Sequence, residues 1–361
     1  MKSADLPLVD FTLDGERVQA VQGQTILQAA RRVGVDIPHL CYQDGMRADG
    51  NCRACVVEVA GERVLAPSCS RAVTPGMEVK ARSERALKSQ QMVVEMLLAD
   101  LPEQGYKWND EVGGPATPAD RVGQHGELSL WADRLGVAPR PELVALRREQ
   151  PAADLSHPAM AVNLDACIQC TRCVRACREV QVNDVIGYAQ RGSSSRIVFD
   201  LGDPMGASTC VACGECVQAC PTGALMPKTM VGSQAVDRKV DSVCPFCGVG
   251  CLVTYQIRDE KIVAVEGRNG PANEGRLCVK GRFGFDYAHH PQRLVRPLIR
   301  KPGVPKHADF TMDPANPLEY FREATWEEAL DRAASGLKKI PPEWTIFSPA
   351  SRASRPRVSS R

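Results

Sequence analysis

The chain has 361 residues, 16 cysteines and a formal net charge of +2. That length predicts two or three domains, and the near-neutral charge provides no basic field that would attract nucleic acid. The opening MKSADLPLVD contains neither the apolar segment of a secretion signal nor a twin-arginine motif, so we expect a cytosolic protein. No apolar stretch is long enough to span a membrane. In such a chain, paired cysteines indicate metal binding rather than disulfides.

The N-terminal residues show the pattern of a β-grasp domain. Residues 8–21 predict a hairpin that turns at Asp14 and Gly15, a dipeptide that accepts positive φ. A helix is predicted from Thr25 to Val33, because Thr25 and Gln28 can form a capping box. Two strand-like segments follow, CVVEVA and RVLAPS.

Four cysteines inside this pattern follow the spacing C-x10-C-x2-C-x13-C. Plant-type ferredoxins have C-x4-C-x2-C and a distant fourth cysteine, so the first gap is longer here. Four thiolates suit a [2Fe–2S] cluster, with two ligands for each iron, although this set taken alone leaves a zinc site open. The predicted ligands are Cys41, Cys52, Cys55 and Cys69.

A helix and a long loop are predicted next. Residues 83–100 place Leu87, Val94 and Leu97 at the spacing of one buried helix face. The segment from Asp100 to Leu128 is rich in glycine, proline and charge, which predicts a loop. We interpret His125, in this loop, as a surface histidine.

Two further runs share the spacing C-x2-C-x2-C-x3-C and align without gaps, as CIQCTRCVRAC and CVACGECVQAC. This is the spacing of the two-cluster bacterial ferredoxins, in which the fourth cysteine of each run binds the other [4Fe–4S] cluster. Two complete runs with identical spacing disfavour zinc. One cluster is predicted at Cys167, Cys170, Cys173 and Cys220, and the other at Cys210, Cys213, Cys216 and Cys177.

The last four cysteines follow C-x2-C-x3-C-x26-C and bracket two strand-like segments, LVTYQIRD and KIVAVEG. These segments predict a β-hairpin. The predicted ligands of a third [4Fe–4S] cluster are Cys244, Cys247, Cys251 and Cys278.

The C-terminal part predicts one more helix, from Thr325 to Ile340. Thr325 and Glu328 form a second capping box pattern, and four apolar residues fall on one face: Ala329, Leu330, Ala333 and Leu337. The tail EWTIFSPASRASRPRVSSR has no periodicity. It is interpreted as out-of-frame translation or a truncated gene product, with a disordered basic tail as the alternative.

This order of motifs resembles three groups of proteins. They are the large iron–sulfur subunit of complex I, the iron-only hydrogenases and the α subunit of NAD-dependent formate dehydrogenases. The resemblance implies a His/Cys3 [4Fe–4S] site between the first and second cysteine groups, bridging the two. This chain has no cysteine between Cys69 and Cys167, so either the electron path is shorter here or the first domain is electronically isolated.

The last cysteine group distinguishes the three. It resembles the cluster domain that opens molybdenum or tungsten enzymes carrying bis-molybdopterin guanine dinucleotide, and its complete set of cysteines favours a formate dehydrogenase. By the same resemblance Lys280 matches the lysine between cluster and pterin, with a solvated lysine as the alternative. His289 and His290 are expected to be polar contacts on a docking surface rather than metal ligands.

The resemblance implies electron transfer from a molybdopterin centre, holding molybdenum or tungsten, toward a flavin-bearing partner that reduces NAD. It implies a hetero-oligomer with one [2Fe–2S] and three [4Fe–4S] clusters. No residue is assigned to substrate catalysis, since the corresponding region would lie further along the chain. Two alternatives remain: a stand-alone four-cluster electron-transfer adaptor, and the complex I-like iron–sulfur subunit of an NADH dehydrogenase.

Together the patterns predict an α+β, multidomain chain with five segments. These are a β-grasp [2Fe–2S] domain over 1–82, a helical segment and loop over 83–156, a ferredoxin domain with two [4Fe–4S] clusters over 157–236, a small β-rich [4Fe–4S] domain of the Mo/W-bisMGD type over 237–300, and a truncated start of the molybdopterin domain with an aberrant tail over 301–361.

Overall fold

The computed structural model describes residues 6–103, 105, 125–149, 151–232, 236–307, 310–313 and 315–341. The chain divides into two compact units, Met1–Asp286 and Tyr287–Arg361. The predicted aberrant tail and most of the predicted loop before His125 lie outside the described residues. No helix in the described ranges is both long enough and apolar enough to cross a bilayer.

A mixed five-stranded sheet forms the first domain. Its order is β2-β1-β5-β3-β4, with β1 antiparallel to β2 and parallel to β5. The predicted hairpin is confirmed, because Leu13 pairs with Glu16 and the two turn residues, Asp14 and Gly15, both have positive φ. The strands are β1 (Leu8–Leu13), β2 (Glu16–Val21), β3 (Val56–Val59), β4 (Ala66–Pro67) and β5 (Glu78–Lys80).

The first helix, α1 (Ile26–Arg32), covers this sheet and confirms the predicted capping box. The Thr25 hydroxyl accepts from the Gln28 N–H, and the Gln28 side chain accepts from the Thr25 N–H. Ile26 and Leu27 are fully buried in the core beneath the sheet. Capping and burial of one face therefore act together to fix α1.

Three helices follow: α2 (Glu84–Ala99), α3 (Glu127–Arg134) and α4 (Pro141–Val144). The predicted helix over 83–100 is confirmed, with Val94 buried and Leu97 packed against the core. The buried Gln90 side chain donates to the Val56 carbonyl at 2.9 Å and so fastens α2 to β3. The prediction of loop through Leu128 is wrong at its end, because α3 begins at Glu127 and buries Leu128 completely.

The ferredoxin-like part consists of two short antiparallel strand pairs and two short helices. Residues in the left-handed region, Thr171 and Gly214, stand at equivalent positions before the two helices. The core of this part is continuous with Leu40 of the first domain and Leu128 of α3. The elements are β6 (Met160–Val162), α5 (Arg172–Arg175), β7 (Ile186–Ala189), β8 (Arg196–Phe199), α6 (Glu215–Ala219) and β9 (Leu225–Pro227).

A three-stranded antiparallel sheet closes the first unit. Its strands are β10 (Arg238–Val243), β11 (Leu252–Arg258) and β12 (Lys261–Gly267), followed by helix α7 (Val279–Phe283). The predicted hairpin is confirmed as β11 and β12, and β10 extends it by a strand that the sequence did not indicate. A small core of Val253, Val265 and Leu277 holds the sheet and the following loop together.

The second unit contains β13 (Leu298–Arg300), β14 (Phe321–Glu323) and α8 (Trp326–Lys338). The predicted helix is confirmed, and Thr325 caps it by accepting from the Glu328 N–H. The Glu328 carboxylate accepts from the Arg322 guanidinium. The apolar residues Leu330 and Leu337 are exposed on this helix.

Candidate iron–sulfur centres

The four cysteines of the β-grasp domain converge on one point. Cys41 lies on the loop after α1, Cys55 directly precedes β3 and Cys69 follows β4. These three are buried and Cys52 is half-buried. Hydrogen bonds among the thiols lower the pKa of Cys41 and of Cys55, and they raise the pKa of Cys52 and of Cys69. The set has the number and kind of ligands that a [2Fe–2S] cluster needs.

The first ferredoxin set surrounds a narrow apolar pocket. Cys167, Cys170, Cys173 and Cys220 all line it, together with Tyr188 and Ile197. Burial raises the pKa of the Cys167 thiol to about 11 and that of the Cys170 thiol to about 12. A raised pKa favours the neutral thiol, whereas bound metal would favour the thiolate, because only the thiolate binds iron.

The second ferredoxin set combines Cys210, Cys213 and Cys216 with Cys177. Burial raises the pKa of Cys210 and Cys213, and the charge of Cys177 raises both further. The structure therefore brings together the same two sets that the sequence predicts when the fourth cysteine of each run is assigned to the other cluster. That each set binds a [4Fe–4S] cluster stays a prediction.

The fourth set is the most open. The Cys244 N–H donates to the Cys251 carbonyl at 2.8 Å, which closes the short loop, while Cys247 and Cys278 are exposed. A Cβ atom at Gly281 would stand 3.6 Å from the Cys244 sulfur, so α7 packs closely on the set. Lys280 is exposed on α7, and its predicted contact with a pterin stays a prediction. His289 and His290 are also exposed.

The donor chemistry fits iron–sulfur clusters at all four places, because each supplies four thiols. In the part of the chain that the structure describes, no three His, Cys, Asp or Glu side chains are arranged to hold a single metal ion.

His125 differs from its predicted surface position. It is buried, and burial lowers its pKa to about 4. Its Nδ1 atom has no hydrogen-bond partner among the described residues. The residue begins the turn into α3, where the Glu127 N–H donates to the Pro221 carbonyl at 3.0 Å. Burial follows from this docking of α3 beside Cys220, which local composition does not reveal.

The β-grasp cysteine loop meets the ferredoxin part along a contact that we name the first boundary, formed by residues 40–51 and 169–175. Two buried arginines cross it. Arg172 pairs with Glu127 at 2.6 Å and donates to the Leu40 carbonyl at 3.3 Å.

Arg175 bonds mainly to main-chain carbonyls. Its Nη1 donates to the Arg47 carbonyl at 2.6 Å, and its Nη2 donates to the carbonyls of Cys41 and Cys170. One guanidinium thus joins two predicted cluster ligands from different domains.

A second boundary, formed by residues 213–218 and 267–282, joins the ferredoxin part to the three-stranded sheet and α7. Arg282 is buried and donates to the Cys213 carbonyl at 2.9 Å and to the Glu215 carboxylate at 2.5 Å. Gln218 adds bonds to the carbonyls of Gly267 and Gly275, at 3.1 and 3.0 Å.

Sequence reasoning missed the three boundary arginines, Arg172, Arg175 and Arg282. The only sequence signal was the gapless alignment of the two ferredoxin runs, which places Arg172 and Arg175 opposite Glu215 and Gln218. At these two positions the first run presents cations and the second presents an acid and an amide. The alignment shows that the two runs differ in charge at these positions, but it does not show which loops these residues contact.

Comparison with known protein families recovers the same three modules. Residues 7–84 match the 2Fe-2S iron-sulfur cluster binding domain. Residues 157–226 match the ferredoxin-like domain of NADH-quinone oxidoreductase subunit 3, and residues 237–290 match the molybdopterin oxidoreductase Fe4S4 domain. The predicted fold class is confirmed.

Curated relatives have the same arrangement. The chain is 29% identical over 335 residues to the NADPH-Fe(3+) oxidoreductase subunit alpha of Geobacter sulfurreducens, covering 92% of this chain and 35% of that protein. It is 31% identical over 329 residues to a subunit of the NADH-quinone oxidoreductase of Rhizobium meliloti, covering 90% and 35%. A Bacillus subtilis protein with a provisional formate dehydrogenase name is 27% identical over 379 residues, covering 93% and 36%.

Among solved structures, the chain is similar to a chain of an NAD+-reducing [NiFe]-hydrogenase in the H2-reduced state. The TM-score is 0.51 at 30% identity, with 61% of this chain and 87% of that chain covered. This chain belongs to the same family of iron–sulfur proteins. It spans about a third of the length of the curated relatives it matches. Two of these curated relatives are named as oxidoreductase subunits. We call residues 6–286 of this chain the iron–sulfur region.

Proposed function

We propose that the iron–sulfur region holds one [2Fe–2S] and three [4Fe–4S] clusters and belongs to the α subunit of a cytoplasmic, NAD-dependent formate dehydrogenase. Electrons from a molybdenum or tungsten pterin centre would pass along it to a flavin-bearing partner that reduces NAD. The single observation that carries this proposal is the complete fourth cysteine set, which lies in the same compact unit as the other three.

The bound clusters would supply one-electron redox chemistry. The chain's own residues bind them, order them and exclude water. The Cys41 set and the Cys167 set are enclosed by apolar side chains. The fourth set leaves Cys247 and Cys278 exposed, which suits the point where a pterin-bearing region would be joined. Lys280, near the start of α7, is the residue proposed to contact that cofactor.

The direct contact at the first boundary supports a shorter electron path over the alternative of an electronically isolated first domain. The Cys41 loop touches the Cys170 loop through Arg175, without an intervening cysteine set. We therefore propose that the first domain exchanges electrons directly with the ferredoxin part, and that a bridging His/Cys3 cluster is unnecessary here.

The test is an assay of the native complex that contains this chain. The proposal predicts formate-dependent reduction of NAD and molybdenum or tungsten in stoichiometric amount. A complex that lacks both metals and shows no formate activity would contradict it.

One alternative function has an observation of its own. The relative named as an NADH-quinone oxidoreductase subunit is 31% identical to this chain, and the residue 157–226 match carries the same enzyme name. NADH oxidation coupled to quinone, with no response to formate, would favour that function. A four-cluster adaptor would show neither activity but would accept electrons from dithionite.

A further inference from the structure

Arg175 is buried between two predicted cluster sites, and its one ion pair among the described residues, with Asp49, is a long one. Within the described part of the chain, the hydrogen bonds from its guanidinium all go to uncharged oxygens: three main-chain carbonyls and the Thr171 hydroxyl. The nearest carboxylate, that of Asp49, lies 3.8 Å from its Nε atom. Asp49 is itself shared with Arg47, at 3.4 Å, and accepts from Thr171 at 2.6 Å.

The cation at the second boundary has a different electrostatic environment. Arg282 and Glu215 form a buried pair at 2.5 Å, with side chains 3% and 4% exposed. The opposite charges of a close pair largely offset each other's potential at neighbouring sites. The charge of Arg282 is therefore compensated by Glu215, whereas Arg175 shares Asp49 with Arg47 at longer distances, so its positive charge is compensated only in part.

That difference matters for a redox site. Reduction of an iron–sulfur cluster adds negative charge, and potentials respond to net charge, hydrogen bonding and solvent exposure. A buried cation is poorly screened by salt and water. It stabilises the reduced form of any nearby cluster and so raises its reduction potential.

We propose that Arg175 is a positioning residue which couples the Cys41 site to the Cys167 site. Its guanidinium holds the two cysteine loops together and raises the reduction potentials of both sites. This inference rests on the proposed function, since it requires that both sites hold clusters.

The test is an EPR-monitored redox titration of the full chain carrying Arg175→Gln or Arg175→Lys. Arg175→Gln removes the charge and is expected to lower the potentials of the [2Fe–2S] site and of one ferredoxin site. The potential of the Cys244 site should be unchanged. Arg175→Lys keeps the charge and is expected to restore most of the shift.

Arg178→Gln is the matched control. Arg178 adjoins the predicted ligand Cys177 but is 54% exposed, and it pairs with the exposed Asp184 at 2.6 Å. Solvent screening should leave the potentials of this variant unchanged.

Iron and acid-labile sulfide are measured on every variant, which separates the two proposals. A wild-type chain without iron–sulfur clusters would overturn the proposed function itself. Fully loaded Arg175→Gln with wild-type potentials would overturn the role of Arg175 alone. If both Arg175 variants fail to load while Arg178→Gln loads, Arg175 serves folding only and the inference is also overturned. Loading of Arg175→Lys but not Arg175→Gln would support it.

Discussion

Buried arginines cross both boundaries of the iron–sulfur region, but their charges are compensated differently at the two. At each, a buried arginine donates to the carbonyl of a predicted cluster ligand on the neighbouring loop: Arg175 to Cys41 and Cys170, and Arg282 to Cys213. At the second boundary the cation comes from α7, and the ferredoxin run supplies Glu215 to neutralise it. At the first, the ferredoxin run itself supplies the cations: Arg172 pairs with Glu127 at 2.6 Å. Arg175 instead bonds to neutral carbonyls and lies 3.8 Å from the Asp49 carboxylate.

The two ferredoxin runs therefore repeat in the spacing of their cysteines but not in the charge of the residues between them. Arg175 and Gln218 occupy equivalent positions, and both reach a neighbouring domain. At the second boundary the close pair with Glu215 compensates the charge of Arg282. At the first, the role proposed for Arg175, whose charge is compensated only in part, is to hold the contact and to act electrostatically on two cysteine sets.

The largest effect is expected from breaking the close pair of Arg282 and Glu215. Glu215→Gln leaves the Arg282 charge buried without a counter-charge, which should cost about 3–5 kcal/mol of unfolding free energy. The measurement is denaturant unfolding of the cluster-loaded chain. The double variant Glu215→Leu with Arg282→Met should recover most of the loss, because both charges are then removed. A single variant as stable as wild type would show that this pair does not hold the second boundary.

A second prediction concerns a buried polar group outside both boundaries. Burial lowers the pKa of His125 to about 4 from an ordinary value of 6.5. The neutral ring is the folded form, so its contribution to stability is fully present above the unfolded pKa. It is lost as pH falls toward 4, by about 3 kcal/mol in full and about 1 kcal/mol between about pH 7.5 and about pH 5.5.

His125→Gln should remove this part of the pH dependence of the unfolding free energy. The pH slopes of wild type and variant are compared by denaturant unfolding at matched salt. Identical slopes would mean that His125 titrates in the folded chain as it does in the unfolded one.

The smallest effect is expected at the first boundary. Asp49→Asn weakens the charge-assisted hydrogen bond from Thr171 at 2.6 Å and should cost about 1–2 kcal/mol. Asp36→Asn, in the exposed pair with Arg134 at 3.1 Å, is the control and should cost less than about 1 kcal/mol. Equal losses in the two variants would remove the distinction between a boundary contact and a surface contact.

What could be predicted from sequence was local. The Asp14-Gly15 hairpin, the Thr25 capping box and the β11–β12 hairpin all follow from residues within a few positions of one another. The grouping of the ferredoxin cysteines into two sets also followed, from the spacing rule of the two-cluster ferredoxins. The burial of His125 and the start of α3 at Glu127 could not be predicted, since they depend on docking beside Pro221.

The roles of the boundary arginines could not be predicted either, because they too depend on contacts between distant parts of the chain. Arg175 contacts Cys41, which is 134 positions away, and Arg282 contacts Cys213, which is 69 positions away. Nothing in the local sequence distinguishes such an arginine from an exposed one. Only the position of the opposing loop does.

The assignment of four clusters is checked by the iron and acid-labile sulfide content of the full chain, followed by EPR after dithionite reduction. One [2Fe–2S] and three [4Fe–4S] clusters require about 14 iron and about 14 sulfide per chain, with one signal of the first type and three centres of the second. Zinc in place of iron, or only two cubane centres, would contradict the assignment of four clusters.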